Sequence, residues 1–143
     1  MRTLKFRGKK HTGEWLYGDL VHSTDGGVFI YPLDCEGLLL QNEVDIKTVG
    51  QFTGILDKNG KEIYEGDILR GDEYPFNCDG VDNYFAEIVW TDNVCGFYRI
   101  TIKKPNSTVR GASHGNWEQL DEDDIKSFEI IGNIHDNSEL LKN

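Results

Sequence analysis

The chain has 143 residues, 38% of them hydrophobic, and a formal net charge of −10 at pH 7. This length and apolar content suffice for a compact core and exclude a disordered chain. No apolar run approaches the roughly 20 residues of a membrane-spanning helix, so no membrane association is expected.

The charge is unevenly distributed along the chain. Residues 1–13 contain five basic side chains and no acidic one, whereas the remainder of the chain is strongly acidic. An acidic body repels a phosphate backbone, which disfavours direct binding to nucleic acid. Opposite charges on separate parts of one surface favour contact between copies, which predicts a homo-oligomer. The alternative is that the basic first strand docks onto the acidic body of its own chain.

The first residues and the cysteines both favour a cytoplasmic protein. Lys9 and Lys10 lie where a secretory signal peptide would have its apolar stretch. The three cysteines, at positions 35, 78 and 95, form no CxxC pair. Their odd number and wide spacing favour free thiols over disulfides or a zinc site, and no cofactor or metal ion is predicted.

Alternating and β-branched residues predict strands along most of the chain. In order, these strands cover residues 3–7, 14–17, 28–31, 44–52, 86–91, 96–102 and 128–134. Between the fourth and fifth, Asp-Lys-Asn-Gly at residues 57–60 predicts a tight hairpin turn with Gly60 at a positive φ angle. Two segments without a pattern, 71–84 and 103–115, are predicted to be exposed loops. A short C-terminal helix is predicted at residues 137–141, with Asp136 as N-cap and Glu139 completing a capping box.

A weak internal repeat indicates how these strands are organised. Tyr-Gly-Asp-Leu-Val at residues 17–21 resembles Tyr-Glu-Gly-Asp-Ile-Leu at residues 64–69, and residues 45–52 resemble residues 124–134. The repeat predicts a mainly β fold of two small SH3-like barrels or half-barrels, which an internal duplication would explain. The halves would be an N-terminal β subdomain at 1–56 and a C-terminal SH3-like β subdomain at 57–143. Chance similarity between glycine-rich strands is the alternative.

The segments Thr-Val-Gly-Gln-Phe-Thr-Gly (48–54) and Asp-Lys-Asn-Gly-Lys-Glu-Ile-Tyr-Glu-Gly-Asp-Ile (57–68) resemble the YopX protein family of phages and prophages. Lys-Phe-Arg at 5–7 and the ending at 130–141 fit as well, so residues 1–143 resemble a single YopX-like unit. The ending departs slightly, since the family usually has an aromatic residue where His135 stands and often Pro where Ser138 stands. The resemblance implies a mainly β protein of mobile genetic elements, and no established activity from which a catalytic residue could be carried over.

No residue pattern indicates a catalytic, cofactor-binding or metal site. The four histidines lack metal-ligand spacing, no nucleophile elbow is present, and no acidic residue lies in a distinctive motif. The densest acidic run, residues 121–124, is either a solvated turn or a mimic of phosphate groups. Several aromatic residues belong either to the core or to a ligand platform: Trp15, Tyr17, Trp90, Phe97, Tyr98 and Trp117.

The sequence favours an acidic phage or prophage accessory protein that acts as a non-enzymatic protein-binding or adaptor module. Its partner would be a host or phage protein in the cytoplasm of the bacterial host. Two alternatives stay open, a small phage enzyme of unknown reaction and an acidic DNA mimic that inhibits a DNA-binding protein. A deep pocket with converging polar groups would favour an enzyme, and an exposed apolar surface would favour the binding module.

Overall fold

The computed structural model describes residues 2–32, 39–71, 84–103 and 117–141. Ten strands are present in this part of the chain: β1 (Phe6–Lys9), β2 (Trp15–His22), β3 (Val28–Tyr31), β4 (Glu43–Leu56), β5 (Glu62–Tyr64), β6 (Asp67–Gly71), β7 (Tyr84–Thr91), β8 (Gly96–Lys103), β9 (Trp117–Gln119) and β10 (Phe128–Asn133). One short α-helix, α1 (Glu122–Ile125), and two 3-10 helices, Leu39–Asn42 and Ser138–Leu141, complete the elements. The predicted mainly β fold is confirmed, and its strands form two antiparallel sheets. Within the described ranges, no helix has the length and apolar character needed to cross a membrane.

The chain packs as two units, Met1–Gly54 and Ile55–Asn143. In the first unit, β1 pairs with β2, β2 with β3, β3 with β4, and β4 returns to pair with β1. The four strands therefore form a closed ring of backbone hydrogen bonds, and alternate residues point into it. Val28, Ile30 and Val44 form the buried centre of this unit, and Phe6 and Leu16 pack against them.

The second unit contains an open five-stranded sheet in the order β10-β6-β7-β8-β9. One face of this sheet carries the core, because Leu69 and Ala86 lie opposite each other in register and both are buried. The other buried members of the core are Ile63, Ile88, Ile125 and Phe128. Helix α1 lies between β9 and β10 in the chain and delivers Ile125 to this core. The SH3-like barrel class of either unit, and the domain boundary between residues 56 and 57, stay predictions.

The turn at residues 57–60 joins β4 and β5, and Gly60 has a φ angle of 80°, as predicted. The turn is not the two-residue type, in which Asn59 would also need a positive φ angle. In this structure Gly60 has a positive φ angle and Asn59 does not. The backbone N–H of Gly60 donates to the Asp57 carbonyl at 3.0 Å, and the Asp57 N–H donates to the Lys61 carbonyl at 2.8 Å. These bonds enclose a three-residue loop that ends in a left-handed glycine.

The short helix predicted at residues 137–141 is wrong in type, because the structure has a 3-10 helix at Ser138–Leu141. The Leu140 N–H donates to the Asn137 carbonyl, three residues back, which is the 3-10 pattern. The Asp136 carboxylate accepts a hydrogen bond from the side-chain amide of Asn133. The Asn137 Oδ1 accepts the Asn133 N–H at 3.2 Å, which holds Asn137 in the turn that follows β10, and the remaining four residues form the short run that is typical of a 3-10 helix.

The two Gly-Asp motifs of the internal repeat occupy different environments. Asp67 is only 2% exposed, and its Oδ2 accepts the Tyr64 N–H at 2.7 Å, which closes the turn before β6. Asp19 is exposed in the middle of β2. The two similar sequences therefore have different structural roles in the two units. The internal duplication stays a prediction. The segments 71–84 and 103–115, predicted as loops, lie almost wholly outside the described residues.

Candidate functional site

Among the side chains that the structure describes, the titratable and nucleophilic residues are not brought into one metal-binding cluster. Within the four described ranges, no three His, Cys, Asp or Glu side chains approach closely enough to hold a metal ion. Cys95 is exposed and forms no disulfide. Cys35, Cys78 and His114 lie outside the described residues.

Two carboxylates of the acidic run at 121–124 have local structural partners. Asp121 is the N-cap of α1, and its Oδ1 accepts the Asp123 N–H at 2.7 Å. The Asp123 carboxylate forms an ion pair with Lys126 at 2.8 Å, which lowers the pKa of Asp123. Such capping starts the helix that places Ile125 in the core. The side chain of Asp124 lies outside the described residues.

The predicted aromatic platform is divided between the units. Trp15 and Tyr17 belong to β2 of the first unit, where Trp15 stacks against the guanidinium of Arg7 at 4.9 Å from the ring centroid. Trp90 and Phe97 belong to β7 and β8 of the second unit and lie opposite each other in register. The Trp117 side chain lies outside the described residues, so it is not assigned to either group.

Among the described aromatic residues of the second unit, the most exposed lies at the hairpin tip, residues 90–97, where β7 turns into β8. Trp90 is 37% exposed, and Val94 in the turn is 58% exposed. The Trp90 and Phe97 rings meet edge to face, with centroids 5.0 Å apart and planes at 72°. The Trp90 Nε1–H donates to the Asp92 Oδ1 at 2.9 Å. Two independent contacts therefore hold the exposed indole in one orientation.

The charge beside the hairpin tip is negative. Asp92 is exposed, and among the described residues no basic side chain forms an ion pair with its carboxylate. The Leu120 N–H donates to the Phe97 carbonyl at 3.0 Å, which fixes the start of α1 beside the hairpin tip. Asp121 and Glu122 follow directly and are exposed. The exposed indole thus has one carboxylate, that of Asp92, fixed beside it.

Glu87 is a polar residue in the second unit that the sequence patterns did not indicate. It lies in the middle of β7, opposite Ile68 of β6 and Ile100 of β8. Side chains opposite each other in register share a face of the sheet, so the half-buried carboxylate has apolar neighbours on both sides. Burial raises the pKa of Glu87, because desolvation disfavours its charged form.

Replacing Glu87 by glutamine is expected to stabilise the protein at neutral pH. Because the folded-state pKa is raised, the ionised carboxylate opposes folding above that pKa, and this cost disappears below the unfolded pKa of about 4.3. Glu87→Gln should therefore raise the free energy of unfolding by about 0.5–1 kcal/mol at neutral pH, a figure that allows for solvent screening of the half-exposed group. The gain should fade as the pH falls to about 4.

Urea unfolding across this pH range measures the effect. Glu129→Gln is the matched control, because Glu129 forms ion pairs with Arg70 and Lys58. That variant should be destabilised at neutral pH, the opposite sign. A loss of stability in Glu87→Gln at neutral pH would show that the carboxylate has a favourable partner.

The family of the chain follows from its similarity to known sequences. The family model described as YopX protein matches residues 5–142. Among solved structures, the crystal structure of protein EF1440 from Enterococcus faecalis is similar in fold, with a TM-score of 0.51 and 22% sequence identity over 99% of this chain and 100% of that one. No curated protein matches the chain. The resemblance predicted from residues 48–68 is confirmed, and the chain belongs to the YopX protein family.

Proposed function

We propose that the chain is a non-enzymatic protein-binding module that contacts its partner through the hairpin tip. The observation that carries this proposal is the exposed Trp90, held in place by Asp92 and Phe97 and continued by the exposed Val94. Tryptophan is among the residues that contribute most to protein interfaces, since its large ring is rigid and amphipathic. A ring that is already oriented loses little conformational freedom on binding.

The biological setting of the proposal comes from the family resemblance. A YopX-like protein of a phage or prophage would meet its partner in the cytoplasm of the bacterial host, and that partner would be a host or phage protein. The phosphate-mimic alternative has less support, because Asp121 caps α1 and Asp123 is paired with Lys126.

Site-specific photo-crosslinking tests the proposal. A photo-reactive amino acid placed at Val94 should give a discrete adduct with one protein in lysogenic host extract, identified by mass spectrometry. The same amino acid at Ile46 is the matched control, since Ile46 is 61% exposed and belongs to the first unit. Trp90→Ala in the Val94 variant should abolish the adduct while far-UV circular dichroism stays unchanged. Equal adducts from both positions, or an adduct that survives Trp90→Ala, would contradict the proposal.

A further inference from the structure

We propose that the pair formed by Trp90 and Asp92 binds an arginine side chain of the partner. The inference rests on the proposed function and specifies the chemistry of the ligand. Its starting point is an exposed indole with an exposed carboxylate fixed at one edge of the ring. These are the two groups that a guanidinium contacts when it stacks on an aromatic ring and donates to a carboxylate at the same time.

Both the Trp90 ring and the Asp92 carboxylate remain accessible to a guanidinium group. The Trp90 Nε1–H uses the Asp92 Oδ1 at 2.9 Å, and the second carboxylate oxygen remains an acceptor. Phe97 covers one part of the indole with its ring centroid at 5.0 Å, and 37% of Trp90 stays exposed. Among the residues that the structure describes, no cation lies within stacking distance of the Trp90 ring.

The same pairing occurs elsewhere within this chain. The Arg7 guanidinium lies 4.9 Å from the centroid of the Trp15 ring, and the Lys9 ammonium is more distant at 5.9 Å. The Arg99 guanidinium lies 5.3 Å from the Phe128 ring. In both units, therefore, guanidinium groups pack on aromatic faces, whereas the Trp90 ring is exposed and has no such group among the described residues.

Charge complementarity favours a basic ligand over an acidic or neutral one. The chain carries a net charge of −10, and the Asp92 carboxylate lies at the edge of the exposed ring. A potential of this sign steers basic segments towards the site and repels acidic ones. Arginine is preferred to lysine, because its planar fork both stacks on the ring and donates two parallel hydrogen bonds, whereas the lysine ammonium acts as a point charge.

The test follows the indole N–H signal of Trp90 by NMR in the intact protein, with a short capped Gly/Ser peptide that carries arginines as the probe. The arginine peptide should shift the Trp90 signal saturably at low ionic strength. A lysine peptide of equal charge should bind at least about threefold more weakly, and a citrulline peptide should not shift the signal. Equal binding of the lysine peptide would overturn the assignment to arginine.

Two variants and one control separate the site from general attraction to an acidic protein. Asp92→Asn keeps an acceptor for the Trp90 N–H but removes the charge, and it should weaken binding about five- to tenfold. Trp90→Leu, followed through changes in the backbone amide signals, should weaken binding to a similar extent. Asp19→Asn removes one exposed carboxylate of β2 in the first unit and should change the affinity less than about twofold. Equal effects of Asp19→Asn and Asp92→Asn would contradict the proposal.

The remaining outcomes also decide between the hypotheses. A Trp90 signal that shifts with protein concentration alone, and not with peptide, would show that the hairpin tip contacts a second copy of this chain, and the arginine site would be wrong. An adduct from Val94 in the crosslinking experiment without any effect of the arginine peptide would uphold the binding module and reject the arginine site. Failure of both experiments would reject both.

Discussion

Replacing Asp57 by alanine is expected to lower the free energy of unfolding by about 3 kcal/mol, because three backbone donors lose one shared acceptor. The Asp57 Oδ1 accepts the N–H groups of Asn59 at 2.8 Å and Lys61 at 2.9 Å. Its Oδ2 accepts the N–H of Ile130 in β10 at 3.1 Å. Asp57 is only 5% exposed, so water cannot fully replace the lost carboxylate.

The measurement is urea unfolding followed by fluorescence and far-UV circular dichroism. Asp25→Ala is the matched control, because Asp25 also accepts a turn N–H two residues ahead, from Gly27 at 3.0 Å, but it is exposed and accepts no hydrogen bond from a distant described strand. That control should lose less than half as much stability as Asp57→Ala. Similar losses in the two variants would show that the bond to Ile130 contributes nothing.

The same carboxylate gives the stability of the protein a pH dependence. Burial tends to raise the pKa of Asp57, but the N–H groups of Ile130, Lys61 and Asn59 and the charge of Lys61 outweigh it and lower the pKa. A lowered folded-state pKa contributes stability that is present above the unfolded pKa of about 3.9 and is lost as the pH falls through the folded value. The difference in stability between the wild type and Asp57→Asn should therefore shrink in acid.

Asp57 shows which part of the fold the sequence could predict. The Asn-Gly signal correctly predicted a turn at residues 57–60 and the positive φ of Gly60, since both depend on neighbouring residues. The bond from Asp57 to Ile130 joins residues 73 positions apart, and no local pattern specifies it. The same limit explains why Glu87 escaped notice, because its apolar neighbours come from two other strands.

For the candidate site, the sequence predicted only that Trp90 and Phe97 belong either to the core or to a ligand platform. Strand alternation places Trp90 on the same face as Ile88, which is fully buried in the core. Trp90 is nevertheless exposed, because it lies at the end of β7, next to the turn and away from the centre of the core. Strand alternation predicts the face on which a residue lies. It does not predict whether that part of the strand is covered by other residues or extends beyond them.

The largest effect in the first unit is expected for Gly18→Ala, which should lower the free energy of unfolding by about 3 kcal/mol or more. A Cβ atom on Gly18 would lie 1.9 Å from the Tyr31 carbonyl oxygen and 2.8 Å from the Pro32 nitrogen. Both are backbone atoms, so β2 and β3 would have to separate there. Since β2 and β3 belong to a closed ring of four strands, a shift of one pair strains the other pairings as well.

Thermal and urea unfolding of Gly18→Ala and Gly26→Ala separate this close approach from the general cost of replacing a glycine. Gly26 has a φ angle of 94°, and a Cβ built there meets no atom within 4 Å. Gly26→Ala should therefore show only the strain of the left-handed conformation, about 1 kcal/mol. If Gly18→Ala proves no more damaging than Gly26→Ala, β2 and β3 can move apart at this point without disturbing the ring, and the tight approach is not what holds the first unit together.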